Sequence, residues 1–122
     1  QGVSDLGAEF SAADLALVPF GVTAYELAAL GVPAGYLALS EDHARSASCF
    51  EEAGIGEILG LARTVRPERI AKSLWTLLQD DRRRADMRAA GLHAVDGRGA
   101  QRIAADLASA LAQSRELKRA RA

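Results

Sequence analysis

The sequence has few of the residues from which disulfide frameworks, metal centres and stacking surfaces are built. Its 122 residues include one cysteine, three prolines and 5% aromatic residues. A single cysteine excludes an internal disulfide and any zinc site built mainly on thiolates. No apolar run is long enough to span a membrane, and no basic segment followed by an apolar one stands at the N-terminus. We therefore expect a cytoplasmic protein without a membrane span, a metal or a cofactor.

Basic residues are nearly absent from the first half of the chain. Residues 1–62 contain one, Arg45, against nine acidic residues, whereas residues 63–122 contain fourteen basic and seven acidic ones. The halves thus carry net charges of −8 and +7. In the basic half, acidic residues lie between the basic ones, and no interleaved aromatic residues offer a surface on which bases stack. We expect no nucleic-acid partner. Two interpretations of this charge asymmetry remain. The charged residues form solvated helix faces, or the acidic and basic halves attract each other across the fold.

Short apolar runs bounded by glycine and proline predict three buried strands, near residues 15–18, 34–39 and 57–59. Helical spacing predicts six helices, over 5–13, 23–30 and 42–53, from Pro67, from Asp80 to near Gly91, and around Ile103 to Leu111 before a polar tail at 113–122. Strands joined by single helices imply parallel pairing. The predicted fold class is therefore α/β, a partial Rossmann-like parallel sheet of about three strands with helices on both faces. Cys49, next to Phe50 in the third helix, is expected to be buried.

The segment Ala13–Pro33 carries the most chemical information. Its pattern predicts a buried strand, a tight loop containing Gly21, and the start of a helix. The backbone amides of Val22, Thr23 and Ala24 are expected to point out of the first helical turn, where the helix dipole also favours an anion. Such a site lies at the carboxyl end of a parallel strand, where open α/β sheets bind ligands.

Glu26 follows one turn into the same helix. A carboxylate accepts hydrogen bonds from two vicinal hydroxyls, so the combination of amides and Glu26 suits a nucleoside diphosphate with its ribose. In proteins, however, a strand–glycine–helix turn that binds no ligand is at least as common as one that binds an anion. The residues alone therefore leave the ligand open.

Several segments resemble the C-terminal domain of GT-B glycosyltransferases over nearly the whole chain. The matching segments are Ala13-Asp14-Leu15, Gly21-Val22-Thr23, Glu26-Leu27-Ala28-Ala29-Leu30-Gly31-Val32-Pro33, Asp42-His43 with the later Glu52-Ala53-Gly54, and Asp96-Gly97-Arg98-Gly99-Ala100. They are most similar to those of the lipid II-forming N-acetylglucosaminyltransferases and of the UDP-sugar hydrolases of pseudaminic acid biosynthesis, with their spore-coat polysaccharide relatives. The Asp-Gly-x-Gly-Ala segment favours the hydrolase branch.

The resemblance implies that residues 1–122 are a single nucleotide-sugar-binding domain and a fragment of a longer two-domain protein. In such proteins the N-terminal domain supplies the general base and most sugar contacts, so it is the implied partner, and this chain alone is expected to hold no catalytic residue. The implied ligand is a UDP-sugar or a related nucleotide sugar. Its implied contacts are Gly21, Val22, Thr23, Ala24, Glu26, Asp42 and His43. An exposed sheet edge is also expected to let the isolated chain form a homodimer.

Two positions depart from the family pattern. Phe20 stands where the family has a second glycine, and its side chain is expected to narrow or shift the phosphate region. Asp42-His43 stands where the family has Asn-Gln, and an acid there opposes phosphate by like charge. Both changes favour an alternative function, a non-catalytic interaction or regulatory module derived from the same fold. Whether a catalytic parent is a hydrolase or a transferase also stays open.

Overall fold

Strands and helices alternate in the first half of the chain, and the second half is helical. The computed structural model describes residues 5–120. Its elements are α1 (Leu6–Ser11), β1 (Ala16–Pro19), α2 (Val22–Leu30), β2 (Ala34–Ala38), α3 (Glu41–Glu52), β3 (Gly56–Leu61), α4 (Pro67–Gln79), α5 (Asp81–Ala94) and α6 (Gly99–Ala120). The predicted α/β class with a three-stranded parallel sheet is confirmed.

The strands lie in the order β1-β2-β3, and every neighbouring pair is parallel. Hydrogen bonds continue the pairing beyond the strand ends. The Phe20 amide donates to the Leu37 carbonyl at 2.9 Å, and the Ala62 amide donates to the Ala38 carbonyl at 2.8 Å. The segments that follow the three strands therefore lie side by side at the carboxyl edge of the sheet, where ligands bind in open α/β folds.

An aromatic cluster fills the core between the sheet and helices α2 and α3. The ring of Tyr36, from β2, meets Phe20 and Phe50 edge to face, with ring centroids 5.6 and 5.8 Å apart. Phe20 and Phe50 also meet each other, at 5.2 Å. Such pairs add stability beyond the area they bury. A Cβ atom at Gly56 would overlap the Tyr36 ring, so β3 needs glycine at that position.

Helix α5 packs along α2 and forms a further layer over it. The contact is close because Gly91 has no side chain: a Cβ atom there would lie 2.9 Å from the Ala28 carbonyl oxygen. Leu92 and Arg88, also from α5, lie over Gly31, which ends α2 in a left-handed conformation with φ of 68°. Ala94, at the end of α5, lies beside the same groove as Val22 in the N-terminal turn of α2, so the two helices run antiparallel.

Helix α4 covers the other face of the sheet. Gly35 of β2 leaves a space there that Leu59 and Leu74 fill, since both approach within 3.3 Å of the position of its absent Cβ. Leu17 of β1, the register partner of Gly35, remains 42% exposed. Helices thus lie on both faces of the sheet. Helix α4 leaves β1 less covered than β2 on its face.

The second half of the chain differs from the sequence-based prediction at two helix ends. Helix α5 passes through Gly91 to Ala94, because the glycine makes the contact with α2 and does not end the helix. Helix α6 continues to Ala120, although a polar tail was expected from residue 113. The residues of that tail lack apolar periodicity, but Arg, Glu, Leu and Lys are strong helix formers.

Helix α6 makes few contacts with the rest of the fold, and all its described side chains beyond Ala100 are exposed. Within residues 5–120, no helix is long and apolar enough to cross a membrane.

Cys49 is exposed, so the expectation of a buried thiol is wrong. Its thiol donates to the Ser46 carbonyl oxygen one turn earlier, at 2.9 Å. The neighbouring position, Phe50, is the one that faces the core, since adjacent helical residues point about 100° apart.

Candidate functional site

The N-terminus of α2 opens at the carboxyl edge of the sheet without a capping side chain. Among the residues that the structure describes, no acceptor pairs with the backbone amides of Val22 and Thr23. Amides at this position carry the positive end of the helix dipole and favour a bound anion. A Cβ atom on the N-cap residue Gly21 would meet nothing within 4 Å, so the space beside the turn is open.

The third amide expected in this site is not free. The Ala24 amide donates to the Gly21 carbonyl at 3.0 Å, and Ala24 is fully buried. Of the three amides predicted for this site, that of Ala24 is therefore the least available to a ligand. This hydrogen bond joins residues three positions apart, as in a 3₁₀ turn, which is common at helix ends. Two backbone donors without an acceptor among the described residues remain, the amides of Val22 and Thr23.

Phe20 does not narrow the site. Its side chain is 6% exposed and belongs to the aromatic cluster with Tyr36 and Phe50. The expectation that a bulky residue before Gly21 crowds the phosphate region is wrong, because the strand directs this side chain into the core.

Glu26 lines a groove of about 780 Å³ between α2 and the turn that joins α5 to α6, which we call the α2–α6 groove. Its α2 wall consists of residues spaced three, four and seven positions apart, which share one helix face: Val22, Tyr25, Glu26 and Ala29. The opposite wall includes Val95, Gly97, Gly99 and Arg102. The volume lies within the range of small-molecule sites, about 300–1,000 Å³.

Tyr25 gives the groove one rigid aromatic wall. Its ring packs edge to face on Phe50, with centroids 4.9 Å apart, yet the residue stays 49% exposed. At this position Tyr25 packs on the core with one part of its ring and leaves another part exposed to a ligand in the groove.

An ion pair lies on the opposite wall. Arg102 Nη1 donates to Asp96 Oδ2 at 2.6 Å, and the Arg98 amide donates to Asp96 Oδ1 at 3.0 Å. The hydrogen bonds from Arg102 and Arg98 lower the pKa of Asp96 below its ordinary value, and the same carboxylate raises the pKa of Arg102. Both side chains are more than half exposed, so the pair contributes little to stability but restrains the guanidinium.

Asp42 and His43 lie in the first turn of α3, at the same edge of the sheet. Unlike α2, this helix is capped by its own chain, because Ser40 Oγ accepts the His43 amide at 3.2 Å. Asp42 forms an exposed ion pair with Arg45 in the next turn. Arg45 therefore offsets part of the negative charge that Asp42 brings toward an anion.

The structure adds two arginines that the sequence does not single out. Arg63 follows β3 and lies 4.0 Å from Glu41, a first-turn residue of α3. Arg102 reaches the α2–α6 groove. The sequence offers one indication that Arg102 pairs with Asp96. The two residues are six positions apart, on either side of a glycine-containing turn that begins a helix. Within residues 5–120, no group of three or more His, Cys, Asp and Glu side chains is placed to hold a metal ion.

Two curated proteins are similar to this chain. One is the UDP-N-acetylglucosamine--N-acetylmuramyl-(pentapeptide) pyrophosphoryl-undecaprenol N-acetylglucosamine transferase of Mesorhizobium japonicum, 36% identical over 92% of this chain and 31% of the relative. The other is the spore coat polysaccharide biosynthesis protein SpsG of Bacillus subtilis, 28% identical over 88% of this chain and 32% of the relative. No protein-family model matches the chain, and no solved structure matches it significantly.

The chain spans about a third of the length of both curated relatives. They confirm the resemblance to the C-terminal region of GT-B-type glycosyltransferases that the sequence segments indicate. The similarity therefore relates this chain to glycosyltransferase-like proteins of polysaccharide biosynthesis.

Proposed function

We propose that this chain is the nucleotide-sugar-binding domain of a two-domain GT-B-type enzyme of surface polysaccharide or nonulosonic acid biosynthesis. The parent enzyme is either a UDP-sugar hydrolase or a glycosyltransferase. The observation that carries the proposal is the start of α2, where the Val22 and Thr23 amides have no acceptor among the described residues. They lie beside open space at the carboxyl edge of the sheet, one turn from Glu26.

The two halves of a nucleoside diphosphate match different residues of this site. The diphosphate accepts hydrogen bonds from the Val22 and Thr23 amides and from the Thr23 hydroxyl, in the field of the α2 dipole. The ribose donates its vicinal hydroxyls to Glu26. A carboxylate has only acceptors and repels phosphate, so Glu26 contributes only when a ribose is present.

The chemistry of both candidate reactions uses the start of α2 in the same way. When water or an acceptor hydroxyl attacks the sugar, the bond from the anomeric carbon to the diphosphate breaks and negative charge develops on the leaving oxygen. Fixed amides and a helix dipole stabilise that charge without reorganising. In this proposal a separate domain supplies the general base and most sugar contacts, and this chain alone does not catalyse.

The two reaction types are supported by different observations. The turn at Asp96–Ala100 matches the segment that favours the hydrolase branch, whereas the 36% identical relative is a transferase by name. The alternative of a non-catalytic module is favoured by Asp42, an acid in the first turn of α3 at the proposed ligand edge.

Isothermal titration calorimetry with UDP and with inorganic pyrophosphate tests the proposal. Glu26→Ala should weaken UDP binding by about 1–3 kcal/mol, the value of one charge-assisted hydrogen-bonded group. It should leave pyrophosphate binding unchanged or slightly stronger. Glu52→Ala, at an exposed acid near the end of α3, is the matched control and should change neither ligand.

Gly21→Val should weaken both ligands, because its side chain would enter the open space beside the two amides. The backbone of Gly21 is extended, with φ of 173°, so a side chain brings no left-handed strain, and the poorer N-cap should lower stability by only about 1 kcal/mol or less. If the wild-type chain bound neither ligand, the nucleotide proposal would fail and the interaction module would stand. If Glu26→Ala bound UDP as tightly as wild type, the ribose assignment would be wrong.

A further inference from the structure

We propose that Arg102 binds the diphosphate of the nucleotide, from the side of the α2–α6 groove opposite the start of α2. This inference rests on the proposed function and adds a positively charged residue to it. Arg102 lies in the first turn of α6, eighty residues after Val22, the first residue of α2. It lines the same groove as Val22 and Glu26.

Packing of α5 on α2 is what brings Arg102 to this place. Gly91 lets α5 approach the backbone of Ala28 closely, and the antiparallel arrangement carries the end of α5 to the first turn of α2. The chain then turns at Gly97, which adopts a left-handed conformation with φ of 68°, and α6 begins. Long helical side chains extend toward the N-terminus of their helix, so Arg102 extends back toward the groove.

The charges in the groove require a cation if a diphosphate is to bind. Of the described residues that line it, Glu26 and Asp96 are negative and Arg102 is positive. The start of α2 contributes only about half an elementary charge, whereas a nucleoside diphosphate is a polyanion. Without Arg102 the two carboxylates would dominate the field and oppose the ligand.

The guanidinium has donors left for this role. Of its five N–H groups, one donates to Asp96, and the others have no acceptor within residues 5–120. They are available to phosphate oxygens, whose geometry a guanidinium fork matches. The bond to Asp96 restrains the side chain before the ligand arrives, which lowers the entropy lost on binding. A purely structural role does not account for this ion pair, because Asp96 and Arg102 are both more than half exposed. An ion pair at that exposure adds little to the stability of the fold.

Calorimetry with UDP, UMP and uridine separates a phosphate contact from a structural one. Arg102→Gln should weaken UDP binding about tenfold or more, as expected for a lost hydrogen bond to a charged group. UMP should be affected less and uridine not at all. Arg102→Lys should recover part of the UDP affinity, since it restores the charge but not the fork. The salt dependence of UDP binding should be shallower in Arg102→Gln than in wild type.

Arg115→Gln is the matched control, because it removes an exposed arginine from the same helix more than three turns away. It should leave all three affinities unchanged. Far-UV circular dichroism of each variant reports whether α6 stays helical.

The inference would be overturned if Arg102→Gln bound UDP as tightly as wild type while Glu26→Ala lost affinity, and the proposed function would survive that result. Equal losses for UDP and uridine would also overturn it, because they would indicate a structural effect. Absence of UDP binding by the wild-type chain would overturn both proposals.

Discussion

Replacing Tyr36 by phenylalanine should stabilise this fold. Tyr36 is fully buried, and its hydroxyl has no hydrogen-bond partner within residues 5–120. Burial of such a group without a partner costs about 1–3 kcal/mol by mutational data. Tyr36→Phe keeps the ring and its contacts with Phe20 and Phe50, but it leaves a small void where the oxygen was. We therefore expect the free energy of unfolding to rise by about 1–2 kcal/mol.

The same hydroxyl should make stability fall at alkaline pH. Burial raises the pKa of Tyr36 to about 12, whereas a tyrosine in an unfolded chain titrates near 10. Between these values the unfolded state releases the proton first. Below pH 10 the ionisation of Tyr36 therefore leaves stability unchanged, and the free energy of unfolding falls as the pH rises from 10 toward 12. A difference of about two pKa units corresponds to about 2.7 kcal/mol, and Tyr36→Phe should remove this dependence.

Urea denaturation followed by far-UV circular dichroism measures both effects. The midpoint should rise at neutral pH without a change in the slope. The stability difference between Tyr36→Phe and wild type should widen by about 2 kcal/mol from pH 9 to pH 12. Tyr25→Phe, at a half-exposed tyrosine of the same cluster, controls for the loss of a phenol.

A Tyr36→Phe variant that is less stable than wild type at neutral pH would refute the reasoning. It would show that the hydroxyl has a partner, such as a buried water, whose loss costs more than its desolvation. A stability difference that stays constant from pH 9 to pH 12 would refute the alkaline part alone.

Two further predictions concern packing and association. Gly91→Ala should destabilise the fold by about 1–3 kcal/mol, because its Cβ would press on the Ala28 carbonyl. Gly99→Ala, whose Cβ would meet no atom within 4 Å, is the control and should leave the melting temperature unchanged. A higher melting temperature for Gly91→Ala would contradict the close contact between α2 and α5. The chain should self-associate at micromolar concentration in light scattering, because β1 is an edge strand with Leu17 exposed. Leu17→Lys should shift it toward monomer, and a monomeric wild type would contradict this prediction.

The sequence by itself determined the order and kind of the elements, because burial leaves a local periodic signal along each strand and helix. The runs around Val18 and Tyr36, and the breaks at Gly31 and Gly54, were sufficient for the parallel α/β sheet. The pattern of strand, glycine and helix around Gly21 placed the candidate anion site at the start of α2, and the family resemblance suggested its ligand. That much depends on neighbours within a few residues.

Only the tertiary structure decided which groups at that edge are available. It directs Phe20 into the core and leaves Cys49 outside, because each depends on how a helix or strand is rotated against its neighbours. It also brings Arg102 to a groove shared with Glu26. That meeting depends on the approach of Gly91 to Ala28, sixty-three positions apart in the chain. Contacts over such separations are set by packing of whole elements, which leaves no local pattern in the sequence.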